Sequence, residues 1–270
     1  MTERCPRVLV FDSGVGGLSV ARCIHQLWPT AELVYLADNA VFPYGALAES
    51  VVVDRCCRLI EQSQAEMPCD VIVVACNTAS TVVLPALRAR TEVPVVGVVP
   101  AVKPAAARSG NRKIGVLATP ATIHRPYLDK LINAFASDCE IVRVGHPGLV
   151  CWAEGLVAGV EPLQSEVDRA LAPLRQAGVD TVVLGCTHYP LLLPWLQASL
   201  PGVRAWVDSG EAVARRVGCL LEQAGFVNYP PEGAGARSGV VIRIRFTGSA
   251  PDNIRPFMGE LGLTVAEAEG

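Results

Sequence analysis

Apolar residues in this chain fall mostly in short continuous runs rather than in alternation with polar ones. RVLVF (7–11), ELVYLAD (32–38), VIVVAC (71–76) and VPVVGVV (93–99) read as strands buried on both faces, the habit of parallel sheets covered by helices. Between them lie segments of helical period: LSVARCIHQLW (18–28), a stretch over 49–66 and another near 79–90. Beyond Pro100 a second series follows: KIGVLAT, HRPYLDKLINAF, EIVRVG, a helix around 161–177, TVVLGC, a helix through LLLPWLQASL, and VRAWVDS. Repeated βα units predict an α/β fold of parallel sheets, with ligands at the carboxyl ends of the strands.

The two series share details. Cys76 and Cys186 each follow a Val- and Leu-rich run, in VIVVACNTAS and TVVLGCTHYP, and DSG occurs at 12–14 and again at 208–210. A duplicated unit would account for both. FVNYPPEGAGARSG (226–239) has neither period and reads as a loop, VVIRIRF alternates like a strand with one wetter face, and IRPFMGELG reads as a closing helix.

The 51% apolar content of the 270 residues supplies ample core and argues against disorder. With 23 basic and 26 acidic residues, the net charge of −3 carries no basic surplus for a phosphate backbone, so no nucleic-acid partner is expected. No run approaches a membrane span, and MTERCPR leads into VLVF without the apolar stretch of a signal peptide; no membrane partner and a cytoplasmic location are expected. Ten cysteines scattered through helix and strand patterns, in a chain too large to need staples, are expected to be free thiols. The sequence has no CxxC pair, so no metal site is expected. None of the three lysines (Lys103, Lys113 and Lys130) sits in a strand-end loop suited to a pyridoxal aldimine, so no cofactor is expected either.

Candidate chemistry gathers after strands. DSGVGG (12–17) joins a strand to a helix and reads either as a backbone cradle for a carboxylate or phosphate or as a tight turn. CNTAS sets the Cys76 thiol beside Asn77 and Thr78 at a helix N-terminus, which favours a thiolate; the alternative is a small buried residue capped by its neighbours. CTHYP puts His188 two residues from Cys186, where it can orient or protonate a neighbour. A hydrolase needs one such cysteine, whereas taking a proton from one face of a carbon and returning one to the other needs two. FPYG with Tyr44 and Gly45, and Thr119 after a strand, are further contacts or structural residues; His25, His124 and His146 read as structural or surface groups.

Together DSGVGGLSV, PYG, ACNTAS, GCTHYPLL and VDSGEAVA resemble the glutamate racemases of the aspartate/glutamate racemase superfamily, over nearly the whole chain. The resemblance implies two pseudo-symmetric α/β lobes, residues 1–99 plus 208–270 and residues 100–207, with the active site in the cleft between them. It implies a cofactor-independent isomerase that interconverts L- and D-glutamate and supplies D-glutamate for peptidoglycan, and it points to a homodimer. By motif match Cys76 deprotonates the D-enantiomer and Cys186 the L-enantiomer, assisted by Asp12 and His188 respectively. Substrate contacts carried over in the same way are Asp12, Ser13, Tyr44, Gly45, Asn77, Thr78, Thr119, Thr187 and His188. In PGLVCWAEG (147–155) Cys151 and Trp152 depart from the family pattern, while Glu154 keeps the place of a residue supporting Cys186. Two alternatives stay open: an aspartate racemase or related decarboxylase, and a non-catalytic protein whose DSGVGG loop holds a phosphate ligand.

Overall fold

The computed structural model describes residues 4–228 and 241–269. In chain order the strands are β1 (Arg7–Asp12), β2 (Glu32–Ala37), β3 (Val71–Val74), β4 (Val95–Gly97), β5 (Lys113–Ala118), β6 (Glu140–Gly145), β7 (Thr181–Leu184), β8 (Ala205–Val207), β9 (Val241–Phe246) and β10 (Thr264–Glu269). The helices are α1 (Leu18–Leu27), α2 (Glu49–Glu66), α3 (Asn77–Arg88), α4 (Val102–Arg108), α5 (Pro120–Ile123), α6 (Pro126–Phe135), α7 (Gly148–Val157), α8 (Gln164–Ala170), α9 (Ala172–Ala177), α10 (Leu193–Ser199), α11 (Gly210–Gln223) and α12 (Ile254–Glu260), with short 3₁₀ turns at Asn39–Val41, Tyr44–Ala46 and Tyr189–Leu192. None of these helices is long and apolar enough to cross a membrane.

The chain divides into two compact units, Met1–Val98 with Gly210–Gly270, and Val99–Ser209. The first holds a sheet of order β10-β9-β2-β1-β3-β4 and the second one of order β6-β5-β7-β8. Every pairing is parallel. The fold is therefore α/β with two parallel sheets. Continuous apolar runs became the central strands because both faces of such a sheet are covered: β3 and β7 are buried along their whole length.

Ignoring the extra strands β9 and β10, the two sheets have the same order, and their registers superpose. Asp12 pairs with Ala37 as Ala118 pairs with Gly145, and Phe11 pairs with Val74 as Leu117 pairs with Leu184. The next backbone bond matches too: Ala75 N–H donates to Phe11 O at 2.7 Å, and Gly185 N–H to Leu117 O at 2.6 Å. Counting onward, Cys76 and Cys186 occupy one equivalent position, and Ser13 and Thr119 another. The repeated DSG does not follow this rule. Asp12 ends β1, whereas Asp208 follows β8, and Ser209 Oγ there donates to Val99 O at 2.5 Å, so the second copy is not the structural counterpart of the first.

The helix expected around 161–177 is two helices, α8 and α9, parted at Leu171. Pro173 in the first turn of α9 has no N–H to continue the ladder of α8, and Gly178 ends α9 at φ +64°. On α2 both Cys56 and Cys57 are buried, and all ten cysteines are free thiols. Of the loop read over 226–239, residues 229–239 lie outside the described residues.

Candidate active site

In a parallel sheet of order 2-1-3-4 the connections leave β1 and β3 in opposite directions, opening a crevice at their carboxyl ends. Ser13 follows β1 and Cys76 follows β3, so the first unit places both at that switch point. Ser13 Oγ lies 3.5 Å from Cys76 Sγ, and both residues are buried. Cys76 is also the N-cap of α3, where the partial positive charge of the helix end favours a thiolate. Asn77, Thr78 and Ser80 on the first turn of α3 are buried with it. Ser80 Oγ donates to Val74 O at 2.8 Å and fastens the helix to the strand, while Asn77 Oδ1 is a buried acceptor without a hydrogen-bond partner among the described residues.

The DSGVGG loop uses much of its own hydrogen-bonding capacity. Gly14 N–H donates to Asp12 Oδ1 at 2.9 Å, and the first N–H groups of α1, those of Leu18 and Ser19, go to Val15 O and Gly16 O at 3.1 Å. Those three donors are thus closed into the turn rather than gathered as an anion cradle. The loop's contribution is to hold the buried Asp12 carboxylate at the end of β1, beside Ser13 and the Cys76 strand.

Tyr44, expected as a ligand contact, has its hydroxyl committed to the interior. It donates to Asp38 Oδ2 at 2.6 Å and accepts from Cys56 Sγ at 3.6 Å, and the ring packs near Phe11. Gly45 beside it is exposed. Asp38 is fully buried and also receives Arg55 through both Nε (2.5 Å to Oδ2) and Nη2 (2.7 Å to Oδ1), plus Thr247 Oγ1 at 2.5 Å. Burial would push this carboxyl upward, but the hydrogen bonds from Arg55, Thr247 and Tyr44 outweigh it and hold the group below the usual aspartate range. Burial pushes the Tyr44 hydroxyl far above its ordinary value, so it stays protonated as the donor.

The second unit repeats the geometry with different helpers. Cys186 follows β7 and Thr119 follows β5, at the equivalent switch point of order β6-β5-β7-β8. Thr119 is the N-cap of α5, its Oγ1 taking Thr122 N–H at 3.3 Å. His188 Nδ1 lies 3.6 Å from Cys186 Sγ, and His188 Nε2 lies 2.7 Å from Glu154 Oε1 on α7. Thr187 and Tyr189 beside them are buried. Burial alone would lower the His188 value, but its bonds to Cys186 and Glu154 raise it well above the usual histidine range. A protonated ring in this position would donate from both nitrogens, toward sulfur on one side and carboxylate on the other.

Two parts of this arrangement were not in the sequence reading. Asp38, Arg55 and Thr247 form the anchor behind Tyr44, and Gly185 is required by close approach, since a Cβ there would lie 2.8 Å from Leu117 O. The one local hint of the former is Asp38 itself, an acidic residue directly after the apolar run of β2. For chemistry, each unit supplies a thiol at a strand end, with hydroxyl and amide neighbours suited to a small polar substrate and to negative charge developing on it.

Residues 17–217 match the model of the Asp/Glu/hydantoin racemase family. The glutamate racemase of Shewanella loihica is 50% identical over 216 residues, covering 80% of this chain and 81% of that protein, and that of Shewanella woodyi is 41% identical over 258 residues, covering 96% of each. Among solved structures, Escherichia coli glutamate racemase in complex with L-glutamate and the activator UDP-MurNAc-Ala is similar with a TM-score of 0.87 and 42% identity, covering 98% of this chain and 97% of that one.

Proposed function

From the premise that this chain belongs to the Asp/Glu/hydantoin racemase family, we propose that it is an amino-acid isomerase that interconverts L- and D-glutamate without a cofactor. The observation that carries the reading is the equivalence of Cys76 and Cys186: two thiols at one position of two sheets with the same order and register. Inversion at carbon asks for two acid/base groups, and a single-thiol hydrolase or decarboxylase has no use for the second.

From L-glutamate, the Cys186 thiolate takes the α-proton, the electron pair stays on carbon, and the Cys76 thiol delivers its proton to the opposite face. The products are D-glutamate, a Cys186 thiol and a Cys76 thiolate. The reverse reaction exchanges the roles. His188, held by Glu154 at 2.7 Å, assists Cys186 from 3.6 Å. Asp12 and Ser13 serve Cys76. Asn77, Thr78, Thr119 and Thr187, with the backbone at Tyr44 and Gly45, hold the carboxylates and the amino group and meet the developing carbanion charge with fixed donors.

D-glutamate made in this way would supply peptidoglycan synthesis in the cytoplasm; in support, the E. coli relative takes a muramyl nucleotide as activator. A homodimer is part of the same proposal, to be read by sedimentation equilibrium.

The test is proton NMR of L-glutamate with the protein in deuterated water, following α-proton loss and D-glutamate formation. The wild type should exchange and racemise, and Cys76→Ser and Cys186→Ser should each lose about 10²–10⁴-fold in racemisation. No exchange with glutamate, together with exchange of aspartate, would assign the substrate to the shorter dicarboxylate.

A further inference from the structure

Trp152, which departs from the family pattern, lines a surface cavity of about 460 Å³ in the second unit. The other lining side chains that matter are His146, Arg143, Glu166 and Arg169. A cavity of that volume falls within the roughly 300–1,000 Å³ of small-molecule sites. Its floor is an aromatic plate: the rings of His146 and Trp152 stack with centroids 5.4 Å apart and an interplanar angle of 26°. The stack depends on Gly148, where a Cβ would lie 2.9 Å from His146 Cε1 and 3.1 Å from Trp152 Cζ2. Gly148 N–H also donates to His146 Nδ1 at 3.2 Å, which fixes the imidazole.

The charges around the plate are divided. Arg143 is engaged by Asp129 at 2.6 Å. Among the described residues, the side chains of Arg169 and Glu166 have no ion-pair partner, although they lie three positions apart on α8. The cavity thus offers one cation, one anion and one aromatic face, each open to a ligand.

We propose that this cavity binds an aromatic α-amino acid. The ligand ring packs on Trp152, its α-carboxylate meets Arg169, and its ammonium group meets Glu166. A simple anion satisfies Arg169 but is repelled by Glu166, and an amine does the reverse, so the zwitterion fits best. Trp152 is two residues from Glu154 on α7, and Glu154 holds His188. Occupancy therefore acts on the Cys186 half-reaction, and this regulatory part rests on the racemase reading while the binding part does not.

The test is calorimetric titration of the full chain with L-phenylalanine, 3-phenylpropionate and phenethylamine. Saturable binding of L-phenylalanine, at least tenfold weaker for either analogue and for Arg169→Ala, Glu166→Gln and Trp152→Ala, is the expected result. Absence of saturable binding, or binding unchanged in all three variants, overturns the site. Binding abolished by excess glutamate yet retained in Trp152→Ala overturns it as well, since the ligand would then occupy the substrate site. Glutamate racemisation measured with and without L-phenylalanine reads the regulatory part. A racemase whose rate ignores bound L-phenylalanine overturns that part alone, and a protein that binds L-phenylalanine but never racemises glutamate overturns the racemase reading alone.

Discussion

Glu154 and His188 lie 34 residues apart in the chain, yet Glu154 Oε1 is 2.7 Å from His188 Nε2 while His188 Nδ1 turns toward Cys186. A carboxylate, an imidazole and a sulfur are linked in sequence, and the carboxylate is the partly open member, with 23% of its side-chain surface exposed.

The pH dependence of stability follows from that linkage. Because the folded His188 value is raised, its contribution to stability is complete below the ordinary histidine range and is lost as pH rises through the folded value. Glu154→Gln removes one of the two causes and lowers the folded value, so the contribution is smaller on the acid side and its loss is complete at lower pH. Melting temperature against pH for the two proteins should give curves that converge at high pH and separate on the acid side. Parallel curves would contradict the coupling.

Asp38 is predicted to be costly to remove. Asp38→Ala leaves Arg55, Tyr44 and Thr247 without their shared acceptor, a loss of about 3 kcal/mol, at the low end for a buried pair because Arg55 keeps 23% of its side-chain surface in water. Urea unfolding at neutral pH measures it. The depressed carboxyl value makes the wild-type contribution full above the usual carboxylate range, with loss as pH falls through the folded value. The gap between wild type and variant should therefore narrow on acidification.

Gly185→Ala should destabilise by about 1–3 kcal/mol, because the added methyl meets a carbonyl oxygen fixed in β5 rather than the end of a movable side chain. The same change pushes the Cys186 loop away from its strand. Racemisation should fall further than the loss of folded protein explains, which circular dichroism and NMR exchange on one sample would separate.

Alkylation should sort the cysteines by exposure. Cys5, Cys151 and Cys219 are exposed and should react first whatever the ligand, while Cys76 and Cys186 are 6% exposed. Peptide mapping after iodoacetamide should show glutamate lowering the label at Cys76 and Cys186 and nowhere else. Equal labelling with and without glutamate would count against a substrate held at these thiols.

Much of the α/β pattern was legible because buried parallel strands announce themselves. VIVV and TVVL need no partner to be recognised, and the helix read over 49–66 matches α2 because its buried positions Val52, Cys56, Ile60 and Ser63 recur at helical spacing. Short or diluted elements were missed: α4 has only seven residues and a proline, and TVAEAE of β10 carries few large apolar side chains. Both thiol loops were visible as strand ends followed by Asn-Thr or Thr-His. What no local pattern announces is the Asp38 anchor, whose partners stand 6, 17 and 209 positions away and which turns the Tyr44 hydroxyl inward.

The first unit is built from both ends of the chain: β9 pairs with β2, and α11 packs on α1. During synthesis residues 99–209, a contiguous segment with all four strands of its own sheet, leave the ribosome before those outer pieces exist. Until β9 arrives, β2 is an edge, with its row of amides and carbonyls open to pairing with any extended chain nearby. Birth order thus leaves β2 of the Cys76 unit an open sheet edge at a stage when the Cys186 unit already has all four of its strands.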